Sequence, residues 1–158
     1  MSTQVVTPEL RAWIAAQAAA GHPSRLVVEI TESQIVHDDE HIWDDLAELR
    51  DLGIRVAIDD YGTGFASLAY LRHPVIDMLK LDRIFLAGVQ QPRGRKILQS
   101  VIALTESLGI ELVAEGIEDE STRSMLIDFG CTLGQGHLWA AAMPLAGAME
   151  WDLAATQP

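Results

Sequence analysis

LVVEITESQIVHDDEHIWDDLAELRDLGIRVAIDD, residues 26–60, decides how the rest of the chain is read. Residues 26–31, LVVEIT, form a short run rich in β-branched residues, and residues 54–58 form another, so both are expected as strands. Between them, residues 41–52 place Ile42, Leu46 and Leu49 at helical spacing. A strand, a helix and a second strand in that order imply a parallel pair, because a tight turn cannot close a parallel connection.

Working outward, the same alternation continues. Upstream, TPELRAWIAAQAAAG reads as a helix that Thr7 caps, with Pro8 in its first turn and Gly21 just past its end. Downstream come a short helical patch FASLAYLR, a strand at 78–81, a helix at 93–108, a strand at 110–115, a helix at 121–129 and a short strand at 132–134. The predicted class is α/β with five visible strands. Two architectures fit them: an open doubly wound sheet, or a (β/α)8 barrel of which part is present. No internal linker or low-complexity stretch divides the chain, and the tail ATQP is expected to fray.

Composition narrows the function classes. Of 158 residues, 49% are hydrophobic and 22% charged, enough apolar material for one packed domain. Eleven Lys and Arg against 23 Asp and Glu leave a net charge of −12, which repels polymeric nucleic acid and anionic lipid surfaces. An anionic small substrate would need a local positive centre, and a bound divalent cation is one source. No apolar run approaches a membrane span, the start MSTQVVTPELR lacks a signal pattern, and the single Cys131 fits a reducing, cytoplasmic setting as a small buried side chain.

The polar residues are informative by position. The strands end at Glu29 and Glu32, at Asp59 and Asp60, at Lys80 and Asp82, at Glu115 and Glu118, and at Gln135. These are C-terminal strand ends, the edge on which parallel α/β folds build their sites. Carboxylates gathered there need a compensating cation, and oxygen donors without a His or Cys cluster select hard ions. Taken alone, Asp59-Asp60 is more often a solvated turn; the apolar strand before it and the glycine-rich loop after it favour a site. Lys80 alone reads equally well as a surface lysine, and Glu115 as a carboxylate at a helix N-terminus. The histidines, His22, His37, His41, His73 and His137, show no ligand spacing; the first four read as surface or loop residues, and His137 follows the last strand. Trp139 reads first as core packing, with stacking on a base as the alternative.

Five segments in order, VVEITES, AIDDYGTGFASLAYL, DMLKLDRIF, LVAEGIED and GCTLGQGHLWAAAMP, resemble the EAL family of bacterial cyclic di-GMP phosphodiesterases over residues 26–144. The resemblance implies a TIM-like (β/α)8 barrel, present here in part with its N-terminal strands missing. It also implies hydrolysis of cyclic di-GMP to linear pGpG with two Mg2+ or Mn2+ ions. By motif, Glu29, Asp59 and Asp60 match metal ligands, with Asp59 shared between the ions. Lys80 matches the lysine at the catalytic water, and Glu115 and Gln135 match residues completing that network. Glu32 matches a glutamate that steadies the loop at 61–67, and Asp82 and Glu118 match substrate or network positions. Residues 1–25 are expected to hold a leading helix and residues 145–158 a C-terminal helix and tail, the whole 1–158 forming one partial domain. As partners, the resemblance implies cyclic di-GMP, a homodimer and other signalling domains in the parent polypeptide.

The sequence also departs from the family pattern. The Glu-Ala-Leu strand that names the family is not among these residues, and the family's asparagine ligand would fall just ahead of Met1 if Ser2 matches the serine of Asn-x-Ser. Two ligands of the first metal and a phosphate-holding arginine are thus expected to be lacking, leaving the chain alone weakly active or inactive. Ala140, Ala141 and Ala142 replace a frequent Ser-Arg-Pro. Two alternatives remain open at this stage: a degenerate module that binds the dinucleotide or a protein without catalysis, and another metal-assisted barrel enzyme with a lysine base.

Overall fold

Each strand of the sheet pairs with the next one in sequence. In the computed structural model, which describes residues 7–19, 26–37, 41–63, 68–144, 147–148 and 151, the strands are β1 (Val27–Thr31), β2 (Arg55–Tyr61), β3 (Met78–Leu81), β4 (Glu111–Ala114) and β5 (Leu133–Gly134). All four pairings are parallel and the order is β1-β2-β3-β4-β5. The helices are α1 (Pro8–Ala19), α2 (Glu32–His37), α3 (His41–Asp51), α4 (Ile84–Ala87), α5 (Pro92–Leu108) and α6 (Glu120–Asp128).

Strand order separates the two architectures that alternation left open. A doubly wound sheet reverses its order at a switch point, and this sheet does not. Ile14 of α1, Leu46 and Leu49 of α3, Leu98 of α5 and Leu126 of α6 share one buried cluster with Ile30, Ile58, Leu79 and Leu112 of the strands. Sequential parallel strands with helices packed on one face form an arc of barrel wall, so the barrel expectation holds.

Local chemistry explains where the helices begin and end. Thr7 Oγ1 accepts from Leu10 N at 3.2 Å, as the cap reading requires. Pro92 opens α5, and Gly109, at φ 70°, closes it in the left-handed region. Asp119 caps α6 by accepting from Thr122 N at 2.8 Å.

Strand alternation then sorts side chains onto two faces. Ile30, Val56, Ile58, Leu79, Leu81, Leu112 and Ala114 face the helices and are buried. Glu29, Asp59, Lys80 and Glu115 fall on the opposite, concave face, near the C-terminal strand ends. At the other end of that face Arg55 pairs with Glu111 at 2.8 Å. Close by, Asp77 accepts from Val56 N at 3.0 Å and from Arg50 Nε at 3.1 Å, tying α3 to the start of β2.

Several expectations are corrected. The short helices α2 and α4 were not anticipated. FASLAYLR yields a 3-10 turn at Tyr70–Arg72, with residues 64–67 outside the described part. Gly21 and most of the helix expected over 145–158 also lie outside it. His73 lies in a loop, as expected, and its ring stacks on Trp43 with centroids 3.8 Å apart and planes within 3°. Trp139 is 42% exposed, so core packing is not its role. Among the described residues, no helix is long and apolar enough to cross a membrane.

Candidate active site

The centre of the concave face is Lys80. Its side chain is only 7% exposed and its Nζ donates to Glu29 Oε2 at 2.7 Å, lies 2.8 Å from Glu115 Oε1 and 2.9 Å from Asp59 Oδ1. The three acids come from β1, β2 and the residue after β4, so four segments far apart in sequence meet at one ammonium. Burial works against the charge on Lys80, but its close contacts with Glu115, Glu29 and Asp59 outweigh it and raise its pKa above the ordinary lysine value. Burial raises the pKa of Glu115; the negative charges of Asp59 and Glu29 add to that, and Lys80 only partly offsets it.

Adjacent residues of a regular strand point to opposite faces, so Asp59 and Asp60 would ordinarily part. Two features bring them to the same site. The β2–β3 register slips between Ile58 and Tyr61, where Ile58 faces Leu79 but Tyr61 faces Leu81, an extra residue on β2. Asp60 takes φ 57°, and among the described residues it alone, apart from glycines, has a positive φ. Aspartate tolerates this left-handed region better than most residues. As a result Asp59, Asp60 and Glu115 each offer a carboxylate oxygen within 4.8 Å of the others.

This donor set suits a hard divalent cation. It is all oxygen. Asp59 Oδ1 is buried and accepts no well-directed hydrogen bond, because Lys80 lies within ion-pair range at a poor angle. A buried carboxylate oxygen left in that state is costly, and a bound cation is one way to satisfy it.

The remaining predicted residues surround this cluster at different distances. Glu32, 2% exposed, receives Gly62 N at 3.3 Å through Oε2, at the start of the loop it was expected to hold; residues 64–67 of that loop are outside the described part. Asp82 accepts from Ile84 N at 2.8 Å and so caps the turn into α4. Asp82, Glu118 and Gln135 line a cleft of about 310 Å³ beside Glu115, together with Arg83 and His137. Gln135 is thus at the rim rather than in the cluster: its side chain is exposed, while its backbone bonds to Ala114 and Ile117. The structure brings together Glu29, Asp59, Asp60, Lys80 and Glu115, and leaves Glu32, Asp82, Glu118 and Gln135 around them.

Sequence reasoning missed Arg83, a basic residue that lines this cleft beside Asp82, Glu115 and Glu118. The available signal was its place directly after Asp82, at the C-terminal end of β3. A wider cleft of about 490 Å³ opens at the opposite strand ends, but its Arg50 and Arg55 are already paired with Asp77 and Glu111.

The chain is similar to known proteins over most of its length. The chain is 40% identical over 123 residues to the cyclic di-GMP phosphodiesterase RocR of Pseudomonas aeruginosa, which covers 77% of this chain and 31% of RocR. It is 38% identical over 127 residues to the cyclic di-GMP phosphodiesterase NbdA of the same organism, covering 80% of this chain and 16% of NbdA. The chain therefore spans less than a third of these curated relatives. The crystal structure of the EAL domain of Mycobacterium smegmatis DcpA superposes with a TM-score of 0.80 at 37% identity, over 96% of this chain and 69% of that one. Klebsiella pneumoniae BlrP1, in a manganese and cyclic di-GMP complex, matches with a TM-score of 0.75 at 29% identity, over 85% of this chain and 35% of that one. The arc of five strands is accordingly part of a TIM-like barrel. The model of the EAL domain matches residues 1–142, and the chain belongs to the EAL domain family.

Proposed function

We propose that this domain hydrolyses cyclic di-GMP to linear pGpG with the help of two divalent cations, Mg2+ or Mn2+. The observation that carries the reading is the meeting of Glu29, Asp59 and Glu115 around Lys80 at the C-terminal strand ends, with Asp60 beside Asp59 and Glu115. The cyclic di-GMP phosphodiesterase activity for which RocR and NbdA are named supports it, as does the manganese and cyclic di-GMP complex of BlrP1.

In this reading Glu29, Asp59 and Asp60 would hold the cations, and Glu115 would complete their surroundings. The bound ions supply positive charge against the phosphodiester and lower the pKa of water. Lys80 orients the attacking water and faces the negative charge that develops on the phosphoryl oxygens. Glu32 fixes the start of the loop after the Asp pair through Gly62, keeping Asp60 in its left-handed conformation. Gln135, Asp82 and Glu118 line the adjoining cleft, where Gln135 extends the water network and the two acids face the nucleotide. A reducing cytoplasm suits the single buried Cys131.

The test is product analysis. A polypeptide carrying this domain, incubated with cyclic di-GMP and Mn2+ or Mg2+, is expected to yield linear pGpG on anion-exchange chromatography. Asp59→Asn is expected to lower that rate about a hundredfold or more. No product with either ion, or an unchanged rate for Asp59→Asn, would overturn the reading.

A further inference from the structure

We propose that Lys80 is an internal counter-ion that competes with divalent cations for the acidic cluster, so that a cation arrives only as Lys80 leaves Asp59 and Glu115. The proposal rests on the cation centre described above. Lys80 Nζ lies within 2.9 Å of one oxygen on each of Glu29, Asp59 and Glu115. Among the described residues, no other ion pair is made by those three acids. Asp59 and Glu115 are also two of the three residues whose oxygens come within 4.8 Å of one another. The same carboxylates thus serve both positive charges.

A hard cation binds carboxylate oxygens at about 2.0–2.6 Å. An ammonium left on Asp59 and Glu115 would then face a divalent charge across a single carboxylate, in a buried setting where repulsion is weakly screened. Lys80 must then swing away from Asp59 and Glu115, breaking the contacts of 2.9 and 2.8 Å that it makes there. Without a cation, the lysine keeps three converging acids from repelling one another. Once displaced, it stays beside the site.

The experiment is Mn2+ binding by calorimetry at one fixed pH, with melting temperatures recorded with and without Mn2+, for the 158-residue chain and two variants. Lys80→Met is expected to bind Mn2+ about tenfold or more tightly than the parent, although it loses the lysine of the proposed chemistry. Its melting temperature is expected to fall without the ion and to gain more from it. Lys80→Arg keeps the charge and is expected to bind about as weakly as the parent. Lys80→Met binding equally or more weakly would overturn the proposal while leaving the cation centre standing. So would Lys80→Arg binding as tightly as Lys80→Met, because then charge is not the cause. A Lys80→Met chain that stays unfolded at saturating Mn2+ also overturns it, since the ion then fails to replace the ammonium. If neither the parent nor Lys80→Met binds Mn2+, the cation centre and the proposal fall together.

Discussion

Asp60 carries a backbone conformation that most side chains resist, and the site depends on it. Left-handed backbone costs an ordinary L-residue roughly 1–2 kcal/mol, whereas Asn and Asp adopt it more readily. Asp60→Asn is therefore expected to keep stability within about 0.5 kcal/mol while lowering Mn2+ affinity at least about tenfold. Asp60→Val should lose about 1–2 kcal/mol or more in urea unfolding, because a β-branched side chain is poorly accommodated at φ 57°. Equal stability of the two variants would show that the backbone there is unstrained. The Asp-Asp pair was visible in the sequence, but the bulge that gathers both acids was not, because it depends on how β2 meets β3. Lys80 was likewise found as a polar residue at a strand end. Its contact with three acids was not legible, since those partners lie 51, 21 and 35 positions away and the fold alone brings them near.

Elements with full periodicity were read close to their observed bounds. The helix predicted at 93–108 is α5 (Pro92–Leu108), and the strand at 78–81 is β3 (Met78–Leu81). The helices that were missed span six and four residues, α2 and α4, too short to display a 3.6-residue repeat. Capping chemistry was partly legible: Thr7 was identified, but Asp119 was not. Hydrogen bonds from the Ser121 hydroxyl and from Thr122 hold the Asp119 carboxyl below the usual aspartate range. A folded-state pKa below the unfolded one means that its stabilisation is present above the unfolded value, about 3.9, and is lost as pH falls through the folded value. Asp119→Ala is accordingly expected to melt a few degrees lower at neutral pH and to converge with the parent in acid. Asp119→Asn, still a good cap, should melt near the parent at neutral pH without that pH dependence. A gap between parent and Asp119→Ala that persists in acid would remove the charged cap from the explanation.

Across the whole molecule, the two ends of the concave face do different work. The N-terminal ends hold the Arg55–Glu111 and Arg50–Asp77 pairs, in which each charge has its partner. The C-terminal ends gather more acids than Lys80 can neutralise. That asymmetry fits a barrel in which one rim stabilises and the other reacts. Alternation of strands and helices could not choose between barrel and open sheet; sequential strand order, with the helices on one face, did. The net charge of −12 makes a local positive centre necessary for any anionic substrate, and the cluster is where hard cations would provide it. Anomalous diffraction from a crystal of this chain soaked in Mn2+ tests this most directly. The expected map holds a manganese peak within coordination distance of Asp59, Asp60 and Glu115, with Lys80 Nζ moved away from Asp59. A map with no peak there, or with Lys80 still seated on all three acids beside a bound ion, would contradict it.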